Sequence, residues 1–107
     1  MKAKPMKQVE DGQIPCEPHE ATHIWLNMPG PLPNRMIPVI HGNASRKGTG
    51  CWSWNGDVDK PTLRPSVKTW TRDVSCHTWV TDGQAIFLND CTHELAGKTV
   101  DLLEVDL

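Results

Sequence analysis

Along residues 75–81 and 84–89, SCHTWVT and QAIFLN, apolar and polar side chains alternate on either side of Asp82-Gly83. A period of two marks a strand with one face in a core, and Asp-Gly between two such runs signals a two-residue hairpin with a type I′ turn. The turn sets a register. Thr81 falls opposite Gln84, Val80 opposite Ala85, Trp79 opposite Ile86, His77 opposite Leu88 and Cys76 opposite Asn89; if the strands continue, Val74 meets Cys91. One face then carries Val74, Cys76, Thr78 and Val80 against Ala85, Phe87, Asn89 and Cys91, and the other carries His77 and Trp79 against Ile86, Leu88 and Asp90.

Elsewhere no apolar pattern keeps a 3.6-residue period. Nine prolines and eight glycines divide the chain into short pieces rich in Val, Ile, Thr and Trp, which suit a pleated surface. Besides 75–81 and 84–89, strands are expected over 22–27, 35–41, 51–55, 66–71 and 99–105. Asp90 can cap a short helical turn over Cys91–Ala96, with Gly97 giving a left-handed ending. The polar, proline-bearing stretch 1–18 reads as a flexible tail and 19–107 as one β domain. The fold class is therefore all-β: a small antiparallel two-sheet sandwich or partly open barrel with one short helical turn. KPTLRPS, residues 60–66, is kept out of helix by its prolines and reads as an extended run across an edge.

Composition narrows the functions. At 107 residues with 37% hydrophobic content there is room for one modest core and no second domain. A net charge of −2 with scattered basic residues offers nucleic acid no attractive field. No stretch approaches the roughly 20 apolar residues that span a bilayer, and the N-terminus lacks the apolar run of a secretion signal. We therefore expect a cytoplasmic protein without a membrane partner, whose Asn43-Ala44-Ser45 sequon is incidental. The glycine-rich loop 41–50 contains a basic pair but leads into a strand, so it lacks the Lys-Ser/Thr and helix that a phosphate loop needs.

Four cysteines in a reducing compartment point to thiols or metal ligands. The register makes Cys76 and Cys91 diagonal neighbours, and His93 can return to their side; with a fourth ligand these suit zinc. His77 is a candidate for that position if the strand bulges, and Cys16, His19, His23, His41 and Cys51 are more distant ones. Two alternatives stand beside the metal: buried free thiols, or a diagonal disulfide. Trp52 and Trp54 share a strand face as core groups or, if exposed, as a binding anchor for a protein.

WSWNGDVDKPTLRPSV (52–67) and CHTWVTDGQAIFLNDCTHELAGKTVDL (76–102) together resemble a small uncharacterised family found in bacteriophages and prophages. Its members read W-x-WNGD, PT-x-x-PS, then CH, DG, FL and LAG-x-TV at compatible spacing, and often carry the label "ammonia monooxygenase". That label denotes a multi-subunit membrane copper complex, which a short chain without a membrane span does not fit. Relatives place a CPGC-like segment ahead of the Trp motif, where this chain has Met28, Pro29, Gly30 and Pro31, with Arg35 in place of a histidine. The resemblance implies a phage-encoded protein. We expect a non-enzymatic domain that binds a protein partner in host or defence machinery, with zinc as a structural part. The alternatives are a small metal-dependent hydrolase using His77, Asp90 and His93, or a virion or assembly component.

Overall fold

The computed structural model describes residues 1–31, 34–41 and 51–105. The chain is all-β, in two sheets. Strands β1 (Ala3–Val9), β2 (Gly12–Pro15), β3 (His23–Asn27), β4 (Asn34–His41), β5 (Trp52–Trp54) and β6 (Leu63–Arg64) form a six-stranded sheet ordered β2-β1-β3-β4-β5-β6. Strands β7 (Val67–Trp70), β8 (Ser75–Thr81), β9 (Gln84–Phe87) and β10 (Thr99–Asp101) form a four-stranded sheet ordered β10-β9-β8-β7. Neighbours are antiparallel except β4 and β5, which run parallel. The glycine-rich stretch considered for phosphate binding lies, from residue 42 to 50, outside the described residues. Among the described residues no helix is long and apolar enough to cross a membrane.

The alternation turns one face of each sheet inward. Ile24, Leu26, Ile37, Val39, Trp54 and Leu63 from the larger sheet share one buried cluster with Val67, Cys76, Val80, Ala85 and Phe87 from the smaller. The hairpin register holds from Thr81↔Gln84 to Thr78↔Phe87, and Asp82 and Gly83 both have positive φ, 50° and 79°, as a type I′ turn requires. Beyond that the chain departs from expectation. The Leu88 N–H still donates to the His77 carbonyl (2.9 Å), but Cys91 N–H then donates back to Leu88 (3.2 Å), so the strand ends in a turn and Asn89 never pairs with Cys76. No helix forms over 91–96, which is a series of turns; the one helical piece among the described residues is a 3-10 turn at Pro18–Glu20.

The stretch expected to hang loose is built into the larger sheet. β1 lies between β2 and β3, and Ala3 is fully buried. Pro5 is tolerated there because its carbonyl faces β2, where it accepts from Cys16 N–H (3.1 Å); its missing N–H falls on the same side, so no bond to β3 is lost.

Candidate active site

Strand β8 has two unlike faces. Cys76, Thr78 and Val80 are buried, while Ser75, His77 and Trp79 look outward, as a pleated strand demands. On the outer face the His77 ring has a partner at each nitrogen. Nδ1 lies 2.9 Å from Asp90 Oδ2 and 3.2 Å from Oδ1. Nε2 lies 2.7 Å from Ser66 Oγ. A carboxylate only accepts, so Nδ1 carries the proton and Nε2 presents its lone pair to the serine hydroxyl. The N–H donated by His77 holds the Asp90 carboxyl below the usual carboxylate range, with a smaller contribution from Lys68. Serine, histidine and aspartate in this order are the constellation of a nucleophile, its general base and the group that fixes the base's tautomer.

Local structure explains how Ser66 arrives there. The two-residue turn at Arg72-Asp73 closes with Thr71 N–H on the Val74 carbonyl (2.8 Å) and sets β7 against β8 with Lys68 opposite His77. Ser66, two residues before Lys68, therefore shares the outer face and lies diagonally from the imidazole. Its carbonyl accepts from the Trp52 indole N–H (3.2 Å). Just upstream, the Arg64 guanidinium stacks over Trp79 at 5.1 Å and donates to the carbonyls of Leu63 (2.6 Å) and Val80 (3.2 Å). Downstream, Lys68, Trp70 and Ser75 line an open depression of about 400 Å³, and Trp70 is 70% exposed.

The inner side of the same segments carries a second cluster. Ligand atoms of Cys76, Cys91 and His93 lie within 4.8 Å of one another, and these residues could hold a metal ion. Both cysteines are buried, unbridged thiols, so the diagonal disulfide does not form. Burial, with Cys91 close by, pushes the Cys76 thiol up to about 11. Cys91 Sγ receives the His77 N–H at 3.1 Å and donates to the His77 carbonyl at 3.2 Å. His93 packs edge-on against Phe87 (centroids 5.2 Å apart), takes the Leu95 N–H on Nδ1 (3.3 Å) and has a buried Nε2 with no hydrogen-bond partner. Two thiols and an imidazole with a buried, unpartnered nitrogen form a donor set that fits a metal.

Several expectations change. His77 is not a fourth ligand: it faces away from the cluster without a bulge, and both its nitrogens are engaged. For the same reason His77, Asp90 and His93 do not surround one metal. Asp90 pairs with His77 rather than capping a helix. Trp54 is 3% exposed, a core residue rather than a binding anchor, and Trp52 is half-buried against Ser66. Sequence reasoning missed Ser66 altogether; the signal was its even spacing from Lys68, visible only once the weak Arg72-Asp73 turn is taken as a hairpin.

The family profile for the bacterial ubiquitination-like system serine protease (BubE) matches residues 15–88. That span contains Ser66, His77 and Cys76 and stops just short of Asp90, Cys91 and His93. No curated protein and no solved structure matches the chain. The match overturns the expected non-enzymatic protein-binding role, because its family is named for an enzyme. With the profile spanning well over half of the sequence, the chain belongs to the bacterial ubiquitination-like system serine protease family.

Proposed function

We propose that the chain is a serine protease that cleaves a peptide bond in a protein substrate of a bacterial ubiquitination-like system, with Ser66 as nucleophile, His77 as general base and Asp90 as the group that orients it. The observation that carries this reading is the continuous chain from Ser66 Oγ to His77 Nε2 (2.7 Å) and from His77 Nδ1 to Asp90 (2.9 Å). Ser66 Oγ attacks the scissile carbonyl carbon while Nε2 takes its proton; the proton passes to the leaving amine as the C–N bond breaks. Water then attacks the acyl carbon as Nε2 takes its proton, and Nε2 passes that proton to Oγ as the acyl–Oγ bond breaks, releasing the carboxylic acid and restoring Ser66. Throughout, Asp90 keeps the proton on Nδ1 and balances the charge on the imidazolium. The depression lined by Lys68, Trp70 and Ser75 lies further along the same strand pair and offers a surface on which an extended substrate could continue.

In the same reading, Cys76, Cys91 and His93 hold zinc, which suits mixed thiolate and imidazole donors, as a structural ion. It is not the catalyst, since the triad occupies the opposite face of β8.

A serine-directed fluorophosphonate tests the nucleophile. We expect a single adduct on Ser66 by peptide mass spectrometry, no adduct in Ser66→Ala, and labelling slowed on the order of 10³-fold or more in His77→Ala. Unchanged labelling of Ser66→Ala, or none of the wild type, overturns the assignment.

A further inference from the structure

The triad and the cysteine cluster are joined by two peptide bonds. Cys76 precedes His77, and Asp90 precedes Cys91; in each pair one residue serves the outer face and the other the cluster. On β8 this is strand alternation, so the inward direction of Cys76 and the outward direction of His77 are one conformational fact. In the turn after β9 it is less constrained. The Asp90 side chain is 53% exposed, and its carboxylate is held chiefly by His77, with its own backbone N–H contributing less. The position of Asp90 therefore depends on its backbone, and that backbone is held through its neighbours.

Those neighbours converge on the cluster. Cys91 Sγ sits where the Leu88 carbonyl would continue the ladder, bonded to both the N–H and the C=O of His77. Thr92 ties the turn to Ser75, with its N–H on the Ser75 carbonyl (3.0 Å) and its Oγ1 taking the Ser75 N–H (2.7 Å). His93, one residue on, brings the buried and unpartnered Nε2 to the two thiols. A thiol's hydrogen bonds are weak, and three converging donors with one orphaned nitrogen make a poor lock by themselves.

Resting on the protease reading above, we infer that ligation of one zinc ion by Cys76, Cys91 and His93 is a positioning device for the triad: it fixes the 88–93 turn to β8 from the inner face and thereby holds Asp90 against His77 Nδ1. The residues act through the backbone and touch no substrate. As thiolates, Cys76 and Cys91 would no longer donate, and the His77 N–H would strengthen its bond to Cys91 Sγ. His93→Ala should then weaken the triad although His93 contacts none of its members.

The experiment uses untagged full-length protein and reads zinc content, fluorophosphonate labelling and, in Ser66→Ala, the low-field proton resonance of His77 Nδ1, which reports the bond to Asp90 without catalysis. We expect one equivalent of zinc. We also expect loss of the Nδ1 resonance on chelation and in His93→Ala, its return in His93→Cys, and labelling of the wild type slowed on the order of 10²-fold when zinc is removed. Absence of zinc from folded wild type, a resonance unchanged by chelation, or collapse of the whole β-structure on chelation each overturns the inference; collapse would mean that the ion holds the domain rather than the triad. Zinc-independent labelling of Ser66 would sink the device and leave the protease standing. A zinc-dependent Nδ1 resonance without labelling in any form would do the reverse.

Discussion

Asp90 has more than half of its side chain in water, yet its carboxylate decides which nitrogen of His77 bears the proton. Replacing it with Asn keeps a side chain of the same shape while removing the charge and allowing the amide to offer N–H where O⁻ stood. We expect Asp90→Asn to lower kcat on the order of 10⁴-fold. Thermal unfolding should move little, since the side chain is largely exposed; a variant near wild-type activity would remove Asp90 from the triad. His77 and Asp90 were legible as chemistry-bearing residues, because the hairpin register places both on one face. Ser66 was not. It lies beyond the weakly marked Arg72-Asp73 turn, so its meeting with His77 depends on a second register that the local sequence does not announce. Cys76, Cys91 and His93 were legible as a group because the Asp82-Gly83 register turns Cys76 inward, although Cys91 reaches it through the 88–91 turn and not by the continued strand pairing expected.

The β8–β9 hairpin is the element on which both clusters depend. Gly83 at its tip has φ +79°, and a Cβ there would lie 3.1 Å from the Asp59 carbonyl oxygen and 3.3 Å from Lys60 Cα. Gly83→Ala combines left-handed strain with that crowding. We expect a loss of roughly 1–2 kcal/mol or more in a denaturant titration; unchanged stability would show that the turn relaxes without moving its neighbours. Elements with strong alternation, β3, β4, β8 and β9, could be read from the sequence within a residue or two at most boundaries. Those whose inward positions are small or cyclic, Ala3 and Pro5 in β1, carry too little apolar contrast, and two-residue β6 is too short to show a period at all. The expected helical turn after Asp90 failed because that carboxylate has a competing partner across the strands.

As a whole molecule, the chain is the all-β two-sheet architecture that its Val-, Ile- and Thr-rich segments imply, but its N-terminal strand is an interior part of it. Lys2 and Ala3 N–H both reach the Val58 carbonyl (2.7 and 3.0 Å), and β1 lies between β2 and β3 in the hydrogen-bonded order. Deleting residues 1–9 should therefore abolish the cooperative melt followed by circular dichroism, rather than trim a dispensable tail; a truncated protein with a wild-type melting curve would contradict this. The two faces of β8 have a further consequence, for how such a chain can change over generations. His77 and Asp90 must stay in step with each other on one side, and Cys76 and Cys91 on the other. One residue gained or lost in a single arm of the hairpin shifts Asp90 and Cys91 together against β8 and ruins both clusters at once. Insertions and deletions between positions 78 and 89 can survive only as matched changes in both arms, so drift in this stretch proceeds by substitution while its length stays fixed.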